Sequence, residues 1–137
     1  MIRGVHHINY LVRDLAEARG RMARLLGTPF DEAVELRERG ALTARARLGN
    51  CWFVLVQPTR KDSVPGRYLT ERGEGLFLLS LDVADLADER NAAASRGATF
   101  SAAGVREGLD GWRILDFDAA QTPGLELQLC EDPEPAI

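Results

Sequence analysis

At 137 residues with 45% hydrophobic side chains, the chain suffices for one well-buried core and is too short for two ordinary domains. The net charge of -4, with Lys and Arg spread along the chain, gives no footprint for nucleic acid, and no apolar run approaches the roughly 20 residues that span a bilayer. A small metabolite or a protein partner is expected instead, in the cytoplasm, since the first residues lack the apolar core of a signal peptide.

In chain order, Val5 to Val12 (VHHINYLV) reads as a first strand. Alternation places His7 and Asn9 on the side of Val5 and makes His6 an outward, packing or surface residue. Asp14 and Glu17 then supply a capping acceptor and a first-turn acid, which opens a helix with an apolar stripe of Leu15, Ala18, Met22, Leu25 and Leu26, stopped at Gly27. ALTARARLGNCWFVLVQP predicts two strands around a Gly49-Asn50 turn: alternating Leu42, Ala44, Ala46 and Leu48, then Trp52 to Val56, with Trp52, Val54 and Val56 on one face.

Residues 59–75 are polar, contain Pro65, Gly66, Gly73 and Gly75, and predict a linker with one short helix around Arg67 to Arg72. GLFLLSLDV (Gly75 to Val83) is the next strand. Asp85 and Asp88 cap a second helix that buries Leu86, Ala93 and Ala94 and stops at Gly97. Trp112 to Asp116 and Leu125 to Cys130 are strands flanking a Thr122-Pro123-Gly124 turn. Cys51 and Cys130 sit in apolar runs without metal or redox spacing and read as buried free thiols.

The two halves echo each other. Val12, Asp14, Leu15, Ala16 and Arg19 fall on Val83, Asp85, Leu86, Ala87 and Arg90 at an offset of 71, and Gly27 and Phe30 fall on Gly97 and Phe100 at 70, one residue being lost within the second helix. The chain therefore divides into a first module over 1–58, the linker 59–75, and a second module over 76–132, each a strand and helix followed by further strands, an α+β plan with the helices on one side of a sheet. The repeat makes Leu78 and Ser80 the counterparts of His7 and Asn9. If the halves curl toward one another, a shared cleft is lined by His7, Asn9, Ser80, Glu126 and Gln128 as polar candidates and by Trp52, Val54 and Leu78 as apolar ones.

HHINYLVRDLAEA, YLTERGEGLFLLSLDVADL and GLELQLCE resemble the vicinal oxygen chelate superfamily, the glyoxalase I and bleomycin-resistance fold, and most of all its methylmalonyl-CoA epimerases. The resemblance covers nearly the whole chain. It implies two tandem βαβββ modules forming a cupped mixed sheet with a central cleft, and a homodimer. The metal ligands of the family, carried over, fall on His7, Val54, Leu78 and Gln128. Only His7 is unchanged, Gln128 is an uncharged substitute for a carboxylate, and Val54 and Leu78 offer no donor, so the standard metal and any other cofactor are expected to be absent. The one alternative is a divalent ion held by His7, Glu126, Gln128 and a water or substrate oxygen.

Two functions follow. In the first, Asn9, Trp52, Val54, Leu78, Ser80 and Gln128 bind a small organic or aromatic metabolite in the cleft, as in the metal-free, drug-sequestering members that the sequence resembles. In the second, His7 and Glu126 act as acid and base in an isomerase or lyase that removes a proton next to the carbonyl of an acyl-CoA or 2-oxo substrate. Each residue also has a bland role. His7 is then a neutral histidine bonded to Asn9 or Gln128, Glu126 a solvated strand residue, Phe53, Phe77 and Trp112 core, and Arg60, Lys61, Arg67 and Arg72 a solvated surface rather than contacts for coenzyme A phosphates.

Overall fold

The computed structural model describes residues 1–135. It contains β1 (Ile2–Leu11), α1 (Leu15–Leu26), β2 (Val34–Leu36), β3 (Ala41–Leu48), β4 (Cys51–Pro58), α2 (Val64–Arg72), β5 (Gly75–Val83), α3 (Leu86–Ser95), β6 (Arg106–Glu107), β7 (Arg113–Asp116) and β8 (Glu126–Glu131). The βαβββ order occurs twice, around α2. The strands missing from the sequence reading are β2 and β6, of three and two residues, too short to carry a periodicity.

Two compact units emerge: Ile8–Phe77, and Met1–His7 together with the chain from Leu78 onward. β1 and β5 are each divided between them. In the first unit β2, β3 and β4 are antiparallel neighbours, with Leu48 opposite Cys51 across the Gly49-Asn50 turn. Gly49 sits at φ 61°, which a side chain disfavours. The backbone of Val12 donates to Val56 O at 2.9 Å, joining β1 to β4. Val12, Leu15, Ala18, Phe30, Ala44, Ala46 and Leu55 form the core, so α1 covers the face of β4 opposite Trp52, Val54 and Val56.

In the second unit β5 and β8 are parallel, whereas β7 is antiparallel to both β8 and β6. The sheet is therefore mixed. Val83, Leu86, Leu115 and Leu129 build a core beneath α3. This leaves the other face of β5, β7 and β8 to Leu78, Ser80, Asp82, Ile114, Asp116, Glu126, Gln128 and Cys130.

Both long helices begin in the same way. Asp14 Oδ1 accepts from Glu17 N at 3.1 Å, and Asp85 Oδ1 from Asp88 N at 2.9 Å, as the sequence predicts. A second acceptor reaches each helix start from the end of a strand. Gln57 Oε1 accepts from Leu15 N at 2.8 Å, and Glu131 Oε2 from Leu86 N at 3.0 Å. Helix α2 starts at Ser63, whose Oγ accepts from Gly66 N at 3.1 Å and donates to Arg60 O at 2.7 Å. No described helix is long and apolar enough to cross a membrane.

Candidate functional site

In the second unit the polar face of β5, β7 and β8 is nearly closed to solvent. Leu78, Ser80, Gln128 and Cys130 are all at most 3% exposed, and Asp82 and Asp116 are also buried. Buried charge requires partners, and each carboxylate has one. Arg3 grips Asp82 with two hydrogen bonds, at 3.0 and 3.2 Å. Arg106 grips Asp116 in the same forked manner, at 2.9 and 3.3 Å. Asp116 Oδ1 also accepts from Gln128 Nε2 at 2.9 Å.

The histidines lie together. His7 is 3% exposed, and its ring stacks on Trp112 at 4.7 Å between centroids and 22° between planes. His6 meets the same indole edge-on at 4.5 Å. The two Nδ1 atoms are 2.7 Å apart, and His6 Nε2 lies 2.7 Å from Asp132 Oδ2. The tautomers follow from donor arithmetic. With the Asp132 carboxylate accepting from His6 Nε2–H, a neutral His6 presents its Nδ1 lone pair, and His7 Nδ1–H donates to it. The result is a buried chain from carboxylate to imidazole to imidazole.

Of the roles expected for His6, outward, packing or surface, the structure shows packing: it is 6% exposed and lies between Asp132, His7 and Trp112. Alternation fixes the direction of Cβ, but two side-chain torsions let adjacent rings converge when a carboxylate and an indole draw them. The Nδ1 of His7 meets His6. Cys130 Sγ completes the cluster; it and one nitrogen from each histidine lie within 4.8 Å of one another. Burial, followed by the Asp132 and Asp82 charges, pushes its thiol up to about 12.

Of the predicted site residues, His7, Leu78, Ser80, Glu126 and Gln128 belong to the second unit, with Leu78 opposite Glu126 and Ser80 opposite Gln128. Glu126 is half-buried. Asn9, Trp52 and Val54 belong to the first. There, Val54 is 2% exposed, Asn9 Oδ1 is buried with no hydrogen-bond partner, and the Trp52 ring carries the guanidinium of Arg45 at 4.0 Å and that of Arg47 at 4.9 Å. Phe77 and Trp112 are core, as the bland reading has them. Cys51 is only half-buried, unlike Cys130. Linker arginines are engaged locally: Arg60 donates to Arg37 O, Arg67 to Asp62 O and Arg72 to Leu76 O.

Asp132, Asp116 and Arg106 escaped the sequence reading. Asp132 follows the last strand and carries no local motif, whereas the pairing of Asp116 with Gln128 follows from the β7–β8 register once both strands are placed.

The family model described as Glyoxalase/Bleomycin resistance protein/Dioxygenase superfamily matches residues 6–115. The uncharacterized protein YqjC of Bacillus subtilis (strain 168) is 24% identical over 125 residues, 91% of this chain and 89% of that protein. The crystal structure of methylmalonyl-CoA epimerase from Mycobacterium tuberculosis superposes with a TM-score of 0.90 at 23% identity, over 97% of this chain and 90% of that one. A variant of the Streptomyces coelicolor methylmalonyl-CoA epimerase in complex with 2-nitronate-propionyl-CoA gives a TM-score of 0.90 at 21% identity, over 98% and 100%. At these identities the structural likeness establishes the fold.

Proposed function

From the premise that the chain belongs to the glyoxalase/bleomycin resistance/dioxygenase superfamily, we propose that it binds a small organic or aromatic metabolite without the standard metal of that family. The observation that carries this reading is the chemistry at two of the four positions where the family likeness puts ligands. Leu78, the repeat counterpart of His7, and Val54 are hydrocarbon and only 3% and 2% exposed. Gln128 Nε2 is committed to Asp116, which leaves one amide oxygen and His7. That donor set does not fit a hard divalent cation, which takes six or more oxygen ligands. Within the unit Ile8–Phe77, Val54 instead suits an apolar ligand surface, and Trp52 with its guanidiniums offers a stacking partner.

The test is calorimetric titration of the metal-stripped full chain with a panel of aromatic and acyl compounds. Saturable one-to-one binding, unchanged by EDTA and without turnover, supports the reading. Binding that appears only on restoring magnesium, manganese or cobalt, and survives in Cys130→Ser, overturns it. A homodimer is proposed with it, to be checked by light scattering on the eluting peak.

A second reading is favoured by one specific observation, the Asp132–His6–His7 chain, which orients His7 as a proton carrier and would hold charge developing on its ring. With Glu126 as base, such a pair serves an isomerase or lyase acting on an acyl-CoA or 2-oxo substrate. Methylmalonyl-CoA epimerases among the similar structures support the acyl-CoA class. Solvent deuterium entering the carbon next to the carbonyl, lost in His7→Ala and Glu126→Gln, would establish this chemistry; no exchange with any acyl-CoA or 2-oxo acid tried would remove it.

A further inference from the structure

We propose that His6, His7 and Cys130 form a binding site for a borderline-to-soft transition-metal ion of the zinc(II) class, with Asp132 as the carboxylate that orients His6. The site goes beyond the reading above, because its three principal donors include His6 and Cys130, neither of them a position implied by the family, and so bring in sulfur.

The three donors come from β1 and β8 of one unit, and each is at least nine-tenths buried. Two imidazoles and a thiolate select zinc, copper(I) or cobalt(II) over magnesium or calcium. The outer contact is already in place. His6 Nε2 is held by Asp132 at 2.7 Å, which turns Nδ1 inward, the arrangement by which a carboxylate fixes the tautomer and raises the basicity of a ligating histidine. An independent observation points to the same place. Gln128 lies on the same face of β8 as Cys130, two residues away, and its Oε1 is fully buried with no hydrogen-bond partner, an oxygen available as a fourth ligand or to a metal-bound water.

The geometry is near what an ion needs. Zn–N bonds of about 2.05 Å and a Zn–S bond of about 2.3 Å in a tetrahedron place the nitrogens about 3.3 Å apart and each about 3.5 Å from sulfur. The two Nδ1 atoms are now 2.7 Å apart, held by one shared proton, and the cluster spans at most 4.8 Å, so an opening of about half an ångström on one side and a closing of about one on the other suffice. In binding, the Cys130 S–H bond is exchanged for a metal–sulfur bond and its proton leaves to solvent. The Nδ1 proton of His7 moves to Nε2 of the same ring, so no oxidant or reductant is involved.

The test uses the full-length protein stripped with a chelator and titrated with cobalt(II) and zinc(II). The expected result is one ion per chain, a thiolate-to-cobalt charge-transfer band, and retention of zinc through dialysis. Cys130→Ser abolishes the band, Asp132→Asn weakens zinc binding by about 10- to 100-fold, and Cys51→Ser changes neither. A wild-type cobalt complex without the sulfur band overturns the proposal without recourse to any variant, as does loss of the band in Cys51→Ser rather than Cys130→Ser.

Discussion

Replacing Gln128 with Glu restores the carboxylate that the family likeness implies at this position, yet the structure predicts that it destabilises the protein in a strongly pH-dependent way. Gln128 Nε2 sits 2.9 Å from Asp116 Oδ1 in a buried setting. Two carboxylates at that separation repel by about 6 kcal/mol at an effective dielectric constant of 20, before the Arg106 guanidinium is counted. The variant has a cheaper escape. It can take up a proton and donate it to Asp116, which costs about 3.7 kcal/mol at pH 7 for a glutamate with an ordinary pKa near 4.3. The loss of stability is therefore capped at about 3.7 kcal/mol at pH 7. It falls by about 1.4 kcal/mol per pH unit on acidification, to about 1 kcal/mol at pH 5. The sign is fixed: the native state of the variant holds a proton that its unfolded state releases above pH 4.3, so its stability drops as pH rises. Urea unfolding of Gln128→Glu beside wild type at pH 5, 6 and 7 measures this, and Asp116→Asn in the variant background should remove most of the slope. A difference independent of pH would refute the placement of this side chain against Asp116.

In metal-free protein, the raised pKa of Cys130 makes stability fall as pH climbs from the ordinary thiol value of 9.0 toward about 12, because the unfolded chain releases a proton the folded one keeps. Cys130→Ala flattens that limb of the stability curve, and iodoacetamide at neutral pH labels the half-buried Cys51 well before Cys130, as peptide mass analysis would show. Gly66→Ala costs at least the roughly 1 kcal/mol of a helix cap, since a Cβ at this position would lie 2.1 Å from Arg60 O and force the Ser63 turn to move; an unchanged melting temperature would show that turn to be pliable. Leu129→Ala, at a site with no exposure in the core beneath α3, should cost about 2–5 kcal/mol in denaturant unfolding.

Local rules read most of the fold correctly. Asp14 and Asp85 cap helices because a short acceptor after a strand has few better uses, and the strands around Gly49 follow from alternation over enough residues to count. Thr59 to Gly75 yields its helix, though α2 begins at Val64, where Ser63 and Pro65 set the start, rather than near Arg67. Other features depend on information that periodicity lacks. Alternation separates His6 from His7, whereas in the structure their Nδ1 atoms meet directly, and Asp132, 126 residues from His6 in sequence, holds the other nitrogen of His6. Gln128 is legible as an inward polar residue, but its partner depends on the register between β7 and β8, which no single strand encodes.

The strand-to-helix tethers at Gln57 and Glu131 amount to two answers to one joint within the same chain, one neutral and one ionic. An amide oxygen keeps its lone pairs at any pH and is indifferent to salt, whereas a carboxylate facing a helix start loses its charge in acid and is screened by ions. The duplicated parts therefore differ in temperament. Both helices share an aspartate cap, so the contrast rests on this second acceptor: in acid or high salt, amide exchange at Leu86 accelerates relative to Leu15.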